Sequence, residues 1–144
     1  MNMNPIKENT SINFDISASG HQIITVKINN YPLRFILDTA AGSSVLDRAC
    51  LSRLGISEVL SDENAAGLGT KDHAMGAIDV EAIQIGNTYF KSPAFISLDL
   101  DHVQVAGGEE GVHGLIGAPF FMQYDAVIDF SNNTLVLSNE SYSQ

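Results

Sequence analysis

Phe35-Ile36-Leu37-Asp38-Thr39-Ala40-Ala41-Gly42-Ser43-Ser44-Val45-Leu46 decides the reading of this chain. An apolar run ends in a carboxylate, passes through small residues and resumes with an apolar pair. A buried strand running into a tight turn reads this way, and the turn holds Asp38 at the end of the strand. Thr39 can lock its hydroxyl onto nearby backbone, while alanine and glycine let main chains approach closely. An acid in such a place is not an ordinary solvated surface charge.

Working outward, the flanking residues read as paired strands. Ile24-Thr25-Val26-Lys27-Ile28 alternates apolar and polar, Asn29-Asn30 turns, and Leu33 to Leu37 returns into the Asp38 loop as a β-hairpin. Ile12 to Ile16 alternates as a short strand, and residues 1–10 read as a mobile tail before a single domain over 11–144. After the loop, Asp47 caps one or two helical turns that end at Gly55. The second half repeats this plan. Val26-Lys27-Ile28-Asn29-Asn30-Tyr31-Pro32-Leu33 aligns with Ile83-Gln84-Ile85-Gly86-Asn87-Thr88-Tyr89-Phe90 at a constant offset of 57. Gly114-Leu115-Ile116-Gly117 then stands where the first half has its acid-bearing loop, with a helix expected from Pro119 to Tyr124.

Composition limits the alternatives. A chain of 144 residues is one domain that buries roughly 68–70% of its unfolded surface. Its formal net charge is −10 with seven Lys and Arg, which argues against a nucleic-acid partner. No apolar run approaches the ~20 residues of a membrane span, and the first 11 residues hold no signal-like apolar stretch. A cytoplasmic location is the default expectation. Cys50 is expected as a reduced core residue. Asp99, Asp101, His102, Glu109, Glu110 and His113 fall in one acidic stretch, but their spacing matches no zinc or calcium site, so a solvated loop is the better reading. Ser43, His113 and Asp129 make a triad only on paper, because no nucleophile elbow accompanies them.

The Asp38 stretch resembles the Asp-Thr-Gly-Ala loop of single-domain, retroviral-type aspartic proteases (retropepsins) and their bacterial relatives. Ala40 departs from the pattern, standing where the family has glycine. A second part of the resemblance is Gly114-Leu115-Ile116-Gly117-Ala118-Pro119-Phe120-Phe121 followed by Val127-Ile128-Asp129-Phe130, a turn, and Thr134-Leu135-Val136-Leu137. The likeness runs over about residues 20–138. It implies a mainly β, retropepsin-like closed barrel of internally duplicated hairpins with short helices. It also implies an aspartic endopeptidase that acts on peptide or protein substrates without metal or cofactor. Asp38 would be the catalytic acid, Thr39 would bond across a dimer axis, and Ala40 and Ala41 would complete the active-site loop. Gly67, Leu68 and Gly69 would form a flap over the substrate. One Asp-Thr loop is half of a two-carboxylate site, so a homodimer is implied. The alternative is an inactive peptide-binding or dimerisation module of the same fold.

Overall fold

The structure is a computed structural model and describes residues 5–60 and 74–142. In the first half the strands are β1 (Pro5–Asn13), β2 (Asp15–Ile16), β3 (Gln22–Ile28), β4 (Tyr31–Asp38) and β5 (Ser44–Asp47). A 3-10 turn (Arg48–Cys50) and α1 (Leu51–Leu54) follow, then β6 (Glu58–Leu60). The second half holds β7 (Gly76–Ile78), β8 (Ala82–Ile85), β9 (Thr88–Lys91) and β10 (Phe95–Leu98). After a 3-10 segment (Asp101–Glu110) come β11 (Gly114–Gly117), α2 (Ala118–Gln123), β12 (Val127–Asp129) and β13 (Thr134–Tyr142).

The offset of 57 residues reappears in the pairing register. In the first hairpin Val26 faces Leu33 and Ile28 faces Tyr31; in the second, Ile83 faces Phe90 and Ile85 faces Thr88. The two-residue turns differ. Asn29 and Asn30 both take positive φ, whereas Gly86 does so at the start of the second turn. Both solutions suit the twist of a tight hairpin.

Beyond the hairpins, the halves interlock. β4 runs parallel to β11, and β10 runs parallel to β5. Exchanging the first-half pair β4, β5 for the second-half pair β10, β11 maps one parallel contact onto the other. The antiparallel contact of β5 with β11, where Leu46 faces Gly114, maps onto itself. Each half therefore supplies one strand to the centre, and a short helix follows each central strand. The glycine-bearing segment 114–117, expected as a loop, is itself the central strand β11. The second-half equivalent of the Asp38 loop is the connection between β10 and β11.

Burial follows from this arrangement. Ile24, Val26 and Ile28 point inward at period two, with Thr25 and Lys27 outward. In β4 the run Phe35-Ile36-Leu37 is buried on both faces. Phe35 and Leu37 join the main core, while Ile36 packs with Ile23 and Val112 under the segment that follows β10. A strand covered on both sides needs no polar alternation, which explains its continuous apolar reading.

Two expectations change. The main sheet runs in the order β6-β7-β10-β5-β11-β4-β3-β8-β9, with β2 beside β3. Among the described residues this is an open path rather than a closed barrel, because the terminal strands pair in a separate sheet of order β1-β13-β12. Residues 5–10, expected within a free tail, belong to β1, which pairs with β13 from Pro5↔Tyr142 to Asn13↔Thr134. Strand pairing across the length of the chain supplies what no local pattern announced.

Candidate active site

Asp38 is the last residue of β4, half-buried, and faces Gly117 across the parallel pairing with β11. Its main-chain carbonyl accepts the Ala41 N–H at 3.1 Å, closing the turn. Its carboxylate Oδ1 accepts the Ala40 N–H at 3.2 Å. A backbone donor aimed at the carboxylate fixes its orientation. Thr39 and Ala40 are exposed, and Ala41 is half-buried. Ala40 is not among the residues at positive φ, so its methyl is carried without backbone strain.

The loop is fastened from the second half. Gly117 N–H donates to the buried Ser44 Oγ at 3.0 Å, and Ala118 N–H donates to the Ala41 carbonyl at 2.9 Å. The approach is too close for a side chain at 117. A Cβ there would lie 2.5 Å from the Ser43 carbonyl oxygen and 3.0 Å from that of Ala41. Ser44 and Gly117 are thus supports that the sequence reading passed over. A serine and a glycine 73 residues apart carry no local signal, and only the meeting of β5 with β11 gives them a role.

Other candidates stand apart from this site. The carboxylate of Asp129 is taken up in its own turn by the Ser131 hydroxyl and the Asn132 side chain, which hold it down to about 2. His113 is half-buried, and its Nδ1 accepts the Arg34 N–H at 2.9 Å. Burial, with the nearby Arg53 and Arg34, lowers its pKa and keeps it neutral, while Asp47 opposes them. Ser43 is exposed at the Asp38 loop, while His113 and Asp129 bond to Arg34 and Ser131 instead, so the paper triad has no geometric support. Burial first, and then Asp47, pushes the Cys50 thiol up, consistent with a core thiol rather than a nucleophile. No group of three potential metal ligands gathers among the described residues. Instead, Arg34 ties the stretch after β10 to the sheet through the Gly107 and Gly111 carbonyls and the Glu110 carboxylate.

Gly67, Leu68 and Gly69 lie outside the described residues. On either side of that segment β6 and β7 pair antiparallel, Leu60 facing Gly76. Their base is clamped by Arg48, which donates to the Glu58 carboxylate at 2.8 and 3.0 Å and to the Ala74 carbonyl at 2.6 Å. The buried Ser97 hydroxyl also donates to Glu58.

An acid at a strand end, in a turn clamped by a glycine strand from the other half of a duplicated sheet, defines an aspartic-protease type of architecture. The sequence pattern of the aspartyl proteases matches residues 24–120, and the chain belongs to that family. Among solved structures it is similar to a retropepsin-like aspartic protease from Rickettsia conorii, with a TM-score of 0.63 and 19% identity over 100% of this chain and 99% of that one. It is also similar to the retroviral protease-like domain of Ddi1 from Leishmania major, with a TM-score of 0.55 and 13% identity over 85% and 93% of the two chains. The fold is retropepsin-like. Curated relatives include the DNA-DAMAGE INDUCIBLE 1 protein of Arabidopsis thaliana, 23% identical over 83% of this chain and 27% of its own length. The DNA damage-inducible protein 1 of Cryptococcus neoformans is 27% identical over 81% of this chain and 25% of its own. The chain thus spans about a quarter of the length of these relatives. Among the described residues no helix is long and apolar enough to cross a membrane.

Proposed function

We propose that this protein is an aspartic endopeptidase whose site is completed by a second copy of the chain. The observation that carries the reading is the Asp38 carboxylate, held at a strand end by the Ala40 N–H, in a loop whose Thr39 and Ala40 face outward. Peptide hydrolysis by this chemistry needs two carboxylates facing one water. An ionised one removes the water's proton while a protonated one donates to the scissile carbonyl. No second carboxylate bonds to Asp38 among the described residues, so the partner acid is assigned to Asp38 of another copy. Two acids in contact do not both ionise readily, and the pair titrates as a unit holding one proton. The water adds directly to the carbonyl, so no acyl-enzyme and no metal is required.

In this reading Thr39 bonds across the two-fold axis, and Ala41 lines the floor beside the acid. The flap that the family resemblance assigns to Gly67, Leu68 and Gly69 lies outside the described residues. The test is Asp38→Asn, which keeps the shape of the side chain and removes the base. Cleavage of an unbiased peptide pool across about pH 4–7 should be lost, while far-UV spectra and thermal unfolding stay close to the parent. A variant that cleaves like the parent would overturn the assignment.

A further inference from the structure

Immediately after the Asp38 loop the surface opens into a cavity of about 660 Å³. Residues 42–44 form one side of it, the end of β7 with the β7–β8 connection (78–81) a second, and residues 92–96 with Pro119 the remainder. Its volume lies in the range of roughly 300–1,000 Å³ usual for ligand pockets. The two latter walls are tied together where Ser92 N–H donates to the Glu81 carbonyl at 2.7 Å.

The chemistry of the walls is divided by depth. Val80, Pro93 and Phe95 are buried and give an apolar interior, with Ile78 and Ile96 half-buried beside them. Asp79 and Glu81 flank the inward-pointing Val80 and are both exposed. Neither carboxylate has a hydrogen-bond or ion-pair partner among the described residues. Among the described residues no Lys or Arg lines the cavity. An apolar interior with two anionic groups at its edge complements a side chain with a hydrocarbon stem and a cationic head.

We propose that this cavity receives a lysine or arginine side chain of the peptide substrate, with Asp79 and Glu81 as the residues that select it. The inference rests on the peptidase reading of Asp38. Gly42 lies four positions after Asp38, a reach of at most roughly 14 Å, or about four residues of extended peptide. The near wall of the cavity is therefore within reach of a substrate residue up to four positions from the cleaved bond. Because both carboxylates are exposed, their contribution is moderate and sensitive to salt.

The experiment uses the full chain and peptides of one cleavable sequence. Each peptide carries Lys, Gln or Glu at one of the four positions on either side of the cleaved bond. One position should show kcat/KM about fivefold higher for Lys than for Gln, with Glu lowest and the ratio shrinking as salt rises. In the Asp79→Asn, Glu81→Gln double variant the Lys-to-Gln ratio should fall to about one. A Lys preference retained by that variant, or no position preferring Lys, overturns the proposal while leaving the peptidase reading standing. Fluorescence anisotropy of the same peptides on Asp38→Asn separates the two claims. Lys-selective binding that needs Asp79 and Glu81, without cleavage by the parent, would keep the cationic pocket and sink the peptidase. Absence of both cleavage and binding would sink both.

Discussion

At the scale of single residues, Ala40 is the departure that matters most. Where the family has glycine, this chain adds a methyl beside the candidate catalytic acid. The backbone there is not in the left-handed region, and the side chain is exposed, so the alanine is compatible with the loop as it stands. Ala40→Gly should therefore bring no gain. Thermal unfolding should show a loss of about 0.4–1 kcal/mol from greater freedom of the unfolded chain, with peptide cleavage within about twofold of the parent. A tenfold rise in kcat would instead show that the methyl holds the two acids apart. The place of Asp38 at a strand end was legible in the sequence, because an apolar run ending in an acid and small residues is a local pattern. The cavity walls were not. Asp79 and Glu81 carry no local signal, and only the fold brings residues 92–96 into the same cavity with them.

At the scale of elements, the repeat was the most legible feature, because two-residue hairpin turns leave a local signature and fix the register on both sides. The crossing of the halves was not, because parallel pairing of β4 with β11 and of β10 with β5 joins strands remote in sequence. The open path of the main sheet and the recruitment of Pro5–Asn13 to a terminal sheet were hidden for the same reason. The crossing also gives Gly117 a testable role. Its missing Cβ would meet carbonyl oxygens of the Asp38 loop, and backbone cannot step aside as a flexible side chain can. Gly117→Ala should cost about 1–3 kcal/mol in unfolding experiments. It should also lower kcat/KM more than the loss of folded protein explains, since the clash displaces the loop that carries Asp38. Gly42→Ala is the control. Its Cβ would meet nothing within 4 Å at an unstrained φ, so stability should stay level or rise by up to about 1 kcal/mol. Equal stability losses at both positions would show that close approach at 117 is not what glycine serves.

At the scale of the whole molecule, the proposed dimer would join two copies that each carry a formal charge of −10. Their repulsion extends about 30 Å at 0.01 M salt and about 8 Å at 0.15 M, so added salt should tighten the dimer. Apolar and hydrogen-bonding contacts must provide the attraction. Sedimentation at several concentrations should show association that strengthens between these salt levels, and specific activity should fall on dilution as dimers separate. A mixing experiment decides whether the dimer is the catalyst. If one water lies between two Asp38 carboxylates, a parent chain paired with an Asp38→Asn chain has one acid and is inactive. Random pairing with a ninefold excess of Asp38→Asn leaves about a tenth of the parent chains beside another parent chain. Activity should drop accordingly under conditions where chains exchange. If the parent's activity is indifferent to the excess while sedimentation confirms exchange, each chain holds a complete site of its own and the shared dyad is wrong.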